Sequence, residues 1–273
     1  VIYKDNNKYD DAIKMFTKAK ELQPDHQNSY YNIALIKKEQ GLREEAVSLL
    51  LKVLDLNPEH SEAKLSAKSI GNDLGIKMHK EGNYKLALKY FEIVVFLEPT
   101  EYLGFYNIGN TYLELKDFKN AKTHFERSLK FKPEHEHAQA NLGTVFRNLG
   151  EIEKSLGCYN EAIKINPKNP NNYYNIAITF KEVQRIVHAE ENYRKAILAD
   201  PKHIPSYHNL ALIYWEKGQI KEALNIAKKV LKFETNHSEI NHSIGQMNLQ
   251  LCRLGEGWRG YEYRWKISPQ NKV

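Results

Sequence analysis

Asn141-Leu142-Gly143 belongs to a series. Asn107-Ile108-Gly109 lies 34 residues before it, Asn175-Ile176-Ala177 lies 34 after it, and Asn209-Leu210-Ala211 another 34 on. Prolines keep the same step at Pro99, Pro133, Pro167 and Pro201. A fixed period of this length marks an array in which one supersecondary unit is stacked many times. Such an array grows by adding neighbours and has no single closed core, so a length of 273 residues does not translate into a domain count.

With proline as position 32 of a 34-residue unit, the chain reads as one solenoid over 1–273. It holds a partial repeat (1–26) and full repeats over 27–60, 68–101, 102–135, 136–169, 170–203 and 204–237. An atypical C-terminal repeat covers 238–267. Large residues recur at positions 4, 7 and 11, as Phe105, Ile108 and Tyr112 do, which is one face of a first helix. Position 8 is Gly or Ala, so a second helix can approach there. That second helix has a small residue at 20, an aromatic at 24 and a small residue at 27, as in Ala189, Tyr193 and Ala196. Gly41, Gly82, Gly150 and Gly218 share position 15, where a tight turn needs left-handed backbone. The proline then ends the second helix. The expected fold class is all-α, a stack of antiparallel helix pairs.

One interval is irregular. Pro58 and Pro99 are 41 residues apart, seven more than the period. Seven residues are about two helical turns, which keeps an apolar face in phase. Residues 61–67 contain no Gly or Pro, so they are expected to extend the next first helix toward its N-terminus, with Ser61 as its cap.

The pattern resembles the tetratricopeptide repeat over nearly the whole chain. The resemblance implies a right-handed α-solenoid, a superhelix whose first helices line the concave side. It also implies a binding function for protein or peptide. Position 6 then faces the groove, with Asn32, Asp73, Asn107, Asn141, Asn175 and Asn209 in it. An Asn amide offers a donor and an acceptor, which matches one peptide unit. A row of them suits an extended peptide backbone, and it resembles the asparagine ladder of O-linked N-acetylglucosamine transferases. The alternative is a structural row that bonds neighbouring helices, since mid-helix Asn is a poor helix former kept for some reason common to all repeats. Asp73 breaks the row. Tyr31, Tyr106 and Tyr174 at position 5, and Arg147 and Lys181 at position 12, stand beside it as contacts for side chains of a bound segment. A clamp for an acidic C-terminus, known in this family, needs Lys at positions 5 and 2, and those positions here are mostly Tyr and uncharged residues.

Composition narrows the function further. Lys and Arg number 40 against 34 Asp and Glu, interleaved along the whole chain without a basic block, which speaks against a nucleic-acid footprint. No run reaches the roughly 18 apolar residues of a membrane span. Cys158 and Cys252 fall several repeats apart, so a disulfide is not expected and a cytoplasmic setting is. His26, His60, His135, His203 and His237 all follow the repeat proline (or Thr235, which replaces it) by two residues. They recur along the array and do not converge as metal ligands must. No catalytic set, cofactor or metal site is expected.

The end of the array departs from the rule. Gly257-Trp258-Arg259-Gly260-Tyr261-Glu262-Tyr263-Arg264-Trp265 stands where a second helix belongs. It resembles the G-W-x-x-Y-E-x-R-W close of repeat arrays in bacterial proteins, where a glycosyltransferase-like domain commonly follows. Trp258, Tyr261 and Trp265 are therefore candidates for docking a downstream domain or a second copy. Two functions stay open: a peptide-binding scaffold, or the substrate-recruiting arm of a larger glycosyltransferase-like enzyme.

Overall fold

The computed structural model describes residues 6–267, so 1–5 and 268–273 of the expected solenoid lie outside the described residues. Among the described residues there are sixteen helices and no strand. They fall into two compact units, one ending at Pro133 and one beginning at Glu134.

The first unit holds α1 (Asn6–Leu22), α2 (Gln27–Glu39), α3 (Arg43–Leu56), α4 (Ser61–Lys80), α5 (Tyr84–Leu97), α6 (Tyr102–Glu114) and α7 (Phe118–Phe131). The second holds α8 (Glu136–Asn148), α9 (Ile152–Ile165), α10 (Pro170–Glu182), α11 (Ile186–Ala199), α12 (Ile204–Glu216), α13 (Ile220–Val230), α14 (Ser238–Gln250), α15 (Leu254–Tyr261) and α16 (Arg264–Ile267). Within each unit a first helix pairs with its second helix, and that second helix packs on the next first helix. Each unit is thus an α-solenoid stack.

The turn inside each pair has a defined chemistry. Position 15 is left-handed in every full repeat: φ is +79° at Gly41, +77° at Gly82 and Gly150, and +75° at Gly218. Lys116, Gln184 and Cys252 take the same place at φ 57°, 58° and 57°, without a glycine's freedom. The next residue then turns its N–H back to the helix, as Leu42 does to the Lys37 carbonyl at 2.8 Å and Asp117 to that of Tyr112 at 2.9 Å. This is a Schellman closure, which satisfies carbonyls that the helix end would leave open.

Second helices end on an extended residue ahead of proline, as at Asn57 (φ −146°, ψ 92°). A following proline disfavours the helical region for the residue before it. Thr235 removes that constraint in the seventh repeat. There α13 stops at Val230, and Leu231 stays helical in a tightened turn whose Phe233 N–H reaches the Val230 carbonyl at 3.1 Å.

In α4/α5, α6/α7 and α8/α9 the core of the pair is a small residue against an aromatic, whereas α3 and α13 carry Leu50 and Ala227 at the aromatic's place. A methyl group added to Gly75 would lie 2.5 Å from the Phe91 ring; at Gly109 it would lie 2.8 Å from Phe125, and at Gly143 2.9 Å from Tyr159. At the C-terminal end the approach is backbone on backbone: a methyl group on Gly260 would sit 2.6 Å from Gly245 Cα.

Five first helices begin at the recurrent histidine, while α6 and α10 begin at Glu101 and Asn169. His26, His60, His135, His203 and His237 are each an N-cap residue. Nδ1 of His60 accepts from the Ala63 N–H at 3.3 Å, and that of His237 from Ile240 at 3.4 Å. In His26 and His203, Nδ1 pairs with the hydroxyl of Ser29 at 2.7 Å and of Ser206 at 2.8 Å. The expected Ser61 cap is therefore corrected. His60 puts an acceptor within reach of the third helical N–H, and Ser61 is already the first helical residue.

Candidate functional site

The first helices of one unit stand side by side, and polar residues on their shared face join them in a regular way. Asn107 Nδ2 donates to Asn72 Oδ1 at 3.2 Å, Asn209 Nδ2 donates to the Tyr174 hydroxyl at 3.1 Å, and Ser243 Oγ lies 3.3 Å from His208 Nε2. Each link joins position 6 of one repeat to position 5 of the repeat before, 35 residues back. A second set lies two turns further along the same helices, between position 12 and position 13 of the next repeat. Arg147 Nε lies 3.7 Å from Glu182, Lys181 Nζ 3.2 Å from Glu216, and Trp215 Nε1 donates to Gln250 Oε1 at 2.6 Å.

The long helix α4 serves two registers. It has 20 residues where α2 and α6 have 13. Toward its N-terminal neighbour it behaves as a helix begun at Ser61: the Tyr31 ring packs on His60 at 4.8 Å, and its hydroxyl interacts with Ser66 and Glu62. Burial and the Glu62 charge raise the Tyr31 pKa. Toward its C-terminal neighbour α4 behaves as a helix begun at Lys68, where Asn72 meets Asn107 and Lys68 lies 3.5 Å from Glu101. Ser66 thus takes the position-6 place toward Tyr31, and Asp73 instead sits exposed with Arg43 at 3.6 Å.

The other expected site residues divide by what already holds them. Asn32 is half-buried and donates to the Asn28 carbonyl in its own helix at 2.8 Å. Tyr106 lies half-buried with its ring 6.0 Å from Phe125. Asn141 is half-buried on α8. Asn175 is half-buried on α10, and its amide has no partner among the described residues. The cause is one residue: position 5 of the preceding repeat is Ala140, which packs with Ile176 and Tyr159 and offers no acceptor. Arg147 carries a buried Nη1 that makes no hydrogen bond.

Tyr174, Lys181 and Asn209 come together in the second unit, around a pocket of about 530 Å³ between the sixth and seventh repeats. Ile178 and Ile186 also line it, and so does Tyr193. The Tyr193 side chain is fully buried and its hydroxyl makes no hydrogen bond. Burial, then the neighbouring Tyr174, pushes that phenol well above its ordinary pKa, so it stays protonated. Its counterpart one repeat earlier, Tyr159, is 2.9 Å from the Thr144 hydroxyl; the residue matching Thr144 is Ile178, which has none to give.

A further cluster clamps this same joint. Glu190 accepts from Lys217 at 2.8 Å, from Arg194 at 3.1 Å and from the Tyr214 hydroxyl. Burial alone would raise its pKa, but the three donors outweigh it and bring it to about 2. At the C-terminal end Trp258 is 55% exposed, whereas Tyr261 packs on His242 at 5.2 Å and shares the Arg264 guanidinium with Trp265 at 4.4 and 4.5 Å. Cys158 and Cys252 form no disulfide. The described residues contain no group of three His, Cys, Asp or Glu placed to hold a metal ion, and none of their helices is long and apolar enough to cross a membrane.

Comparison with known proteins agrees with this geometry. A model described as "Tetratricopeptide repeat" matches residues 1–26, 27–60, 170–203 and 204–237, a second of the same description matches 102–135, and one described as "TPR repeat" matches 143–184. The matches leave out 61–101, where α4 carries two registers. No curated protein matches the chain. Among solved structures, YrrB, described as a TPR protein with an unusual peptide-binding site, is 23% identical with TM-score 0.54, covering 71% of this chain and 96% of its own. PilW, a type IV pilus biogenesis factor, is 18% identical with TM-score 0.63, covering 75% and 94%. A thermophilic TPR protein of Thermus thermophilus is 19% identical with TM-score 0.55, covering 67% and 100%. At these identities the likeness is one of fold.

Proposed function

Most of the chain consists of tetratricopeptide repeats, and from that premise we propose a cytoplasmic protein-interaction scaffold that grips an extended peptide along its first helices, with 1–273 acting as one array. The observation that carries the reading is Asn175: a half-buried amide on that face, with no partner for it among the described residues. Free donor and acceptor on one side chain match one peptide unit. Asn107 and Asn209 spend an N–H on the joint between repeats and keep Oδ1 for a peptide N–H. Tyr174, Lys181 and Arg147 flank Asn175 as contacts for ligand side chains. The peptide-binding site of the similarly folded YrrB supports the class of ligand.

The test is selection of peptides on the whole chain, followed by affinity and melting measurements on Asn175→Ala. Loss of up to two hydrogen bonds should weaken binding by about 1–3 kcal/mol at unchanged stability. Unchanged affinity for the selected peptides would remove Asn175 from the site.

A second reading makes the chain the substrate-recruiting arm of a larger glycosyltransferase-like enzyme. Exposed Trp258, with Leu254 61% exposed beside it in α15, favours a docking surface there. A coding sequence running on past Val273 into an α/β domain would support that reading, and a stop codon there would end it.

A further inference from the structure

The charges along the groove are layered, which backbone gripping does not use. Between the sixth and seventh repeats lies the pocket of about 530 Å³, and its apolar walls include Tyr174, Ile178 and Ile186. The charged groups of its lining are one ammonium, Lys181, and two carboxylates, Glu182 and Glu216. In the pair Arg147–Glu182 the side chains are 17% and 51% exposed, and in Lys181–Glu216 they are 29% and 59% exposed. The cation is thus the covered member of each pair and the carboxylate the outward one. Both contacts use Oε1 of the glutamate, and Oε2 of each makes no hydrogen bond among the described residues. A segment entering from solvent meets the carboxylates before it meets Arg147 or Lys181.

We propose that the segment bound in this groove is basic, with two Lys or Arg residues three apart, one at Glu182 and one at Glu216. The proposal rests on the peptide-binding reading and adds the charge and spacing of its ligand. Apolar walls under an anionic rim suit a side chain that is apolar along its stem and cationic at its head. The stem lies along Ile178, Ile186 and Tyr174, and the head reaches the rim. An acidic guest would meet two carboxylates whose counter-ions are already engaged. The net charge of +6 does not decide against a basic guest, because exposed charges more than about 8 Å away are largely screened at physiological salt. Glu182 and Glu216 hold the same place one period apart, so they recur at the spacing of packed helices, about 10 Å. A polyproline-type strand advances about 9 Å in three residues and brings the side chain back to the same side.

The experiment titrates the intact chain with three capped nine-residue peptides of proline and serine that carry Lys, Glu or Gln at the third and sixth places, at low salt and at about 0.5 M salt. The Lys peptide is expected to bind about three- to tenfold more tightly than the Gln peptide, the factor for two exposed ion pairs, and to lose that advantage at high salt. The Glu peptide should be the weakest. Glu182→Gln combined with Glu216→Gln removes only exposed ion pairs, so the melting temperature should stay close to that of wild type. The same double change releases Arg147 and Lys181 and should reverse the order, with Glu above Lys. A Glu peptide that binds wild type as tightly as the Lys peptide, equal affinities for the Lys and Gln peptides, no binding of the Lys peptide, or a Lys preference that survives the double change would each overturn the proposal. Selected peptides that need Asn175 but carry no excess of Lys or Arg would remove the charge rule and leave the groove. A chain that selects no peptide and binds none of the three would overturn both.

Discussion

The Tyr174 hydroxyl accepts Nδ2 of Asn209 at 3.1 Å across the joint between two repeats, and the equivalent amide of Asn175 finds only Ala140. One column of asparagines thus does two jobs, decided by the residue at position 5 of the repeat before. Both Asn→Ala changes gain the same helix propensity, but Asn209 also donates to the Pro205 carbonyl of its own helix at 3.1 Å, so their difference holds both bonds and the Tyr174→Phe comparison separates the joint. Asn209→Ala should be less stable than Asn175→Ala by about 0.5–1.5 kcal/mol in urea unfolding. Tyr174→Phe should lower stability in the wild-type background and not in Asn209→Ala. Equal midpoints for the two Asn variants would show that neither bond adds anything.

The turn at position 15 offers stabilising changes. Lys116 and Gln184 hold φ 57° and 58°, in the region where a side chain crowds the backbone by roughly 1–2 kcal/mol. Glycine removes that crowding but loses more freedom on folding, which offsets part of the gain. Lys116→Gly and Gln184→Gly are each expected to raise stability by about 0.5–1 kcal/mol. The reverse change, Gly150→Lys, should lower it by a similar amount. A lower melting temperature for both glycine variants would mean that the two side chains make contacts outweighing the strain.

Why the fold was legible and the joints were not follows from the spacing. Alignment by 34 brings Gly109, Gly143 and Ala177 into one column, and the small-against-aromatic core reads directly from it. The joints between repeats pair residues 35 apart, one period plus one, so Asn72–Asn107 and Lys181–Glu216 fall in different columns. The 41-residue interval between Pro58 and Pro99 pointed to an extension, and α4 has it, but the reassignment from Asp73 to Ser66 needs the stacking partner Tyr31. His26 and His60, 34 apart across the start of that interval, were the available signal. The unpaired Tyr193 hydroxyl depends on Ile178 replacing the residue type of Thr144, a contact between two helices that no single column displays.

Gly109 tests the core register. An added methyl group already meets the Phe125 ring at 2.8 Å, and that ring is fully buried. Gly109→Leu should overpack the pair α6/α7 and cost roughly 1–3 kcal/mol. Gly255, whose added methyl group would meet nothing within 4 Å, is the control, and Gly255→Ala should leave the midpoint within about 0.5 kcal/mol of wild type. An unchanged midpoint for Gly109→Leu would show that α6 and α7 can separate at no cost.

Acid should weaken the fold in two stages with different causes. Burial lowers the pKa of His124, His203 and His208; Arg127 adds to it at His124, Asp200 opposes it at His203, and at His208 Glu239 opposes while His237 and Lys181 add. A histidine whose folded pKa is depressed binds its proton more readily when unfolded. Its stabilising contribution is therefore complete above about pH 6.5 and falls as the pH drops through the folded value. Glu190 acts lower down: its pKa moves from 4.5 to about 2 under Lys217, Tyr214 and Arg194, so its contribution holds above pH 4.5 and is lost toward pH 2. The melting temperature is expected to decline from pH 7 to 5, and His208→Gln should flatten that first decline. Glu190→Gln should lower the melting temperature at pH 7 and flatten the second decline only. A melting temperature that rises between pH 7 and 5, or a His208→Gln profile parallel to wild type, would remove the buried histidines as its cause.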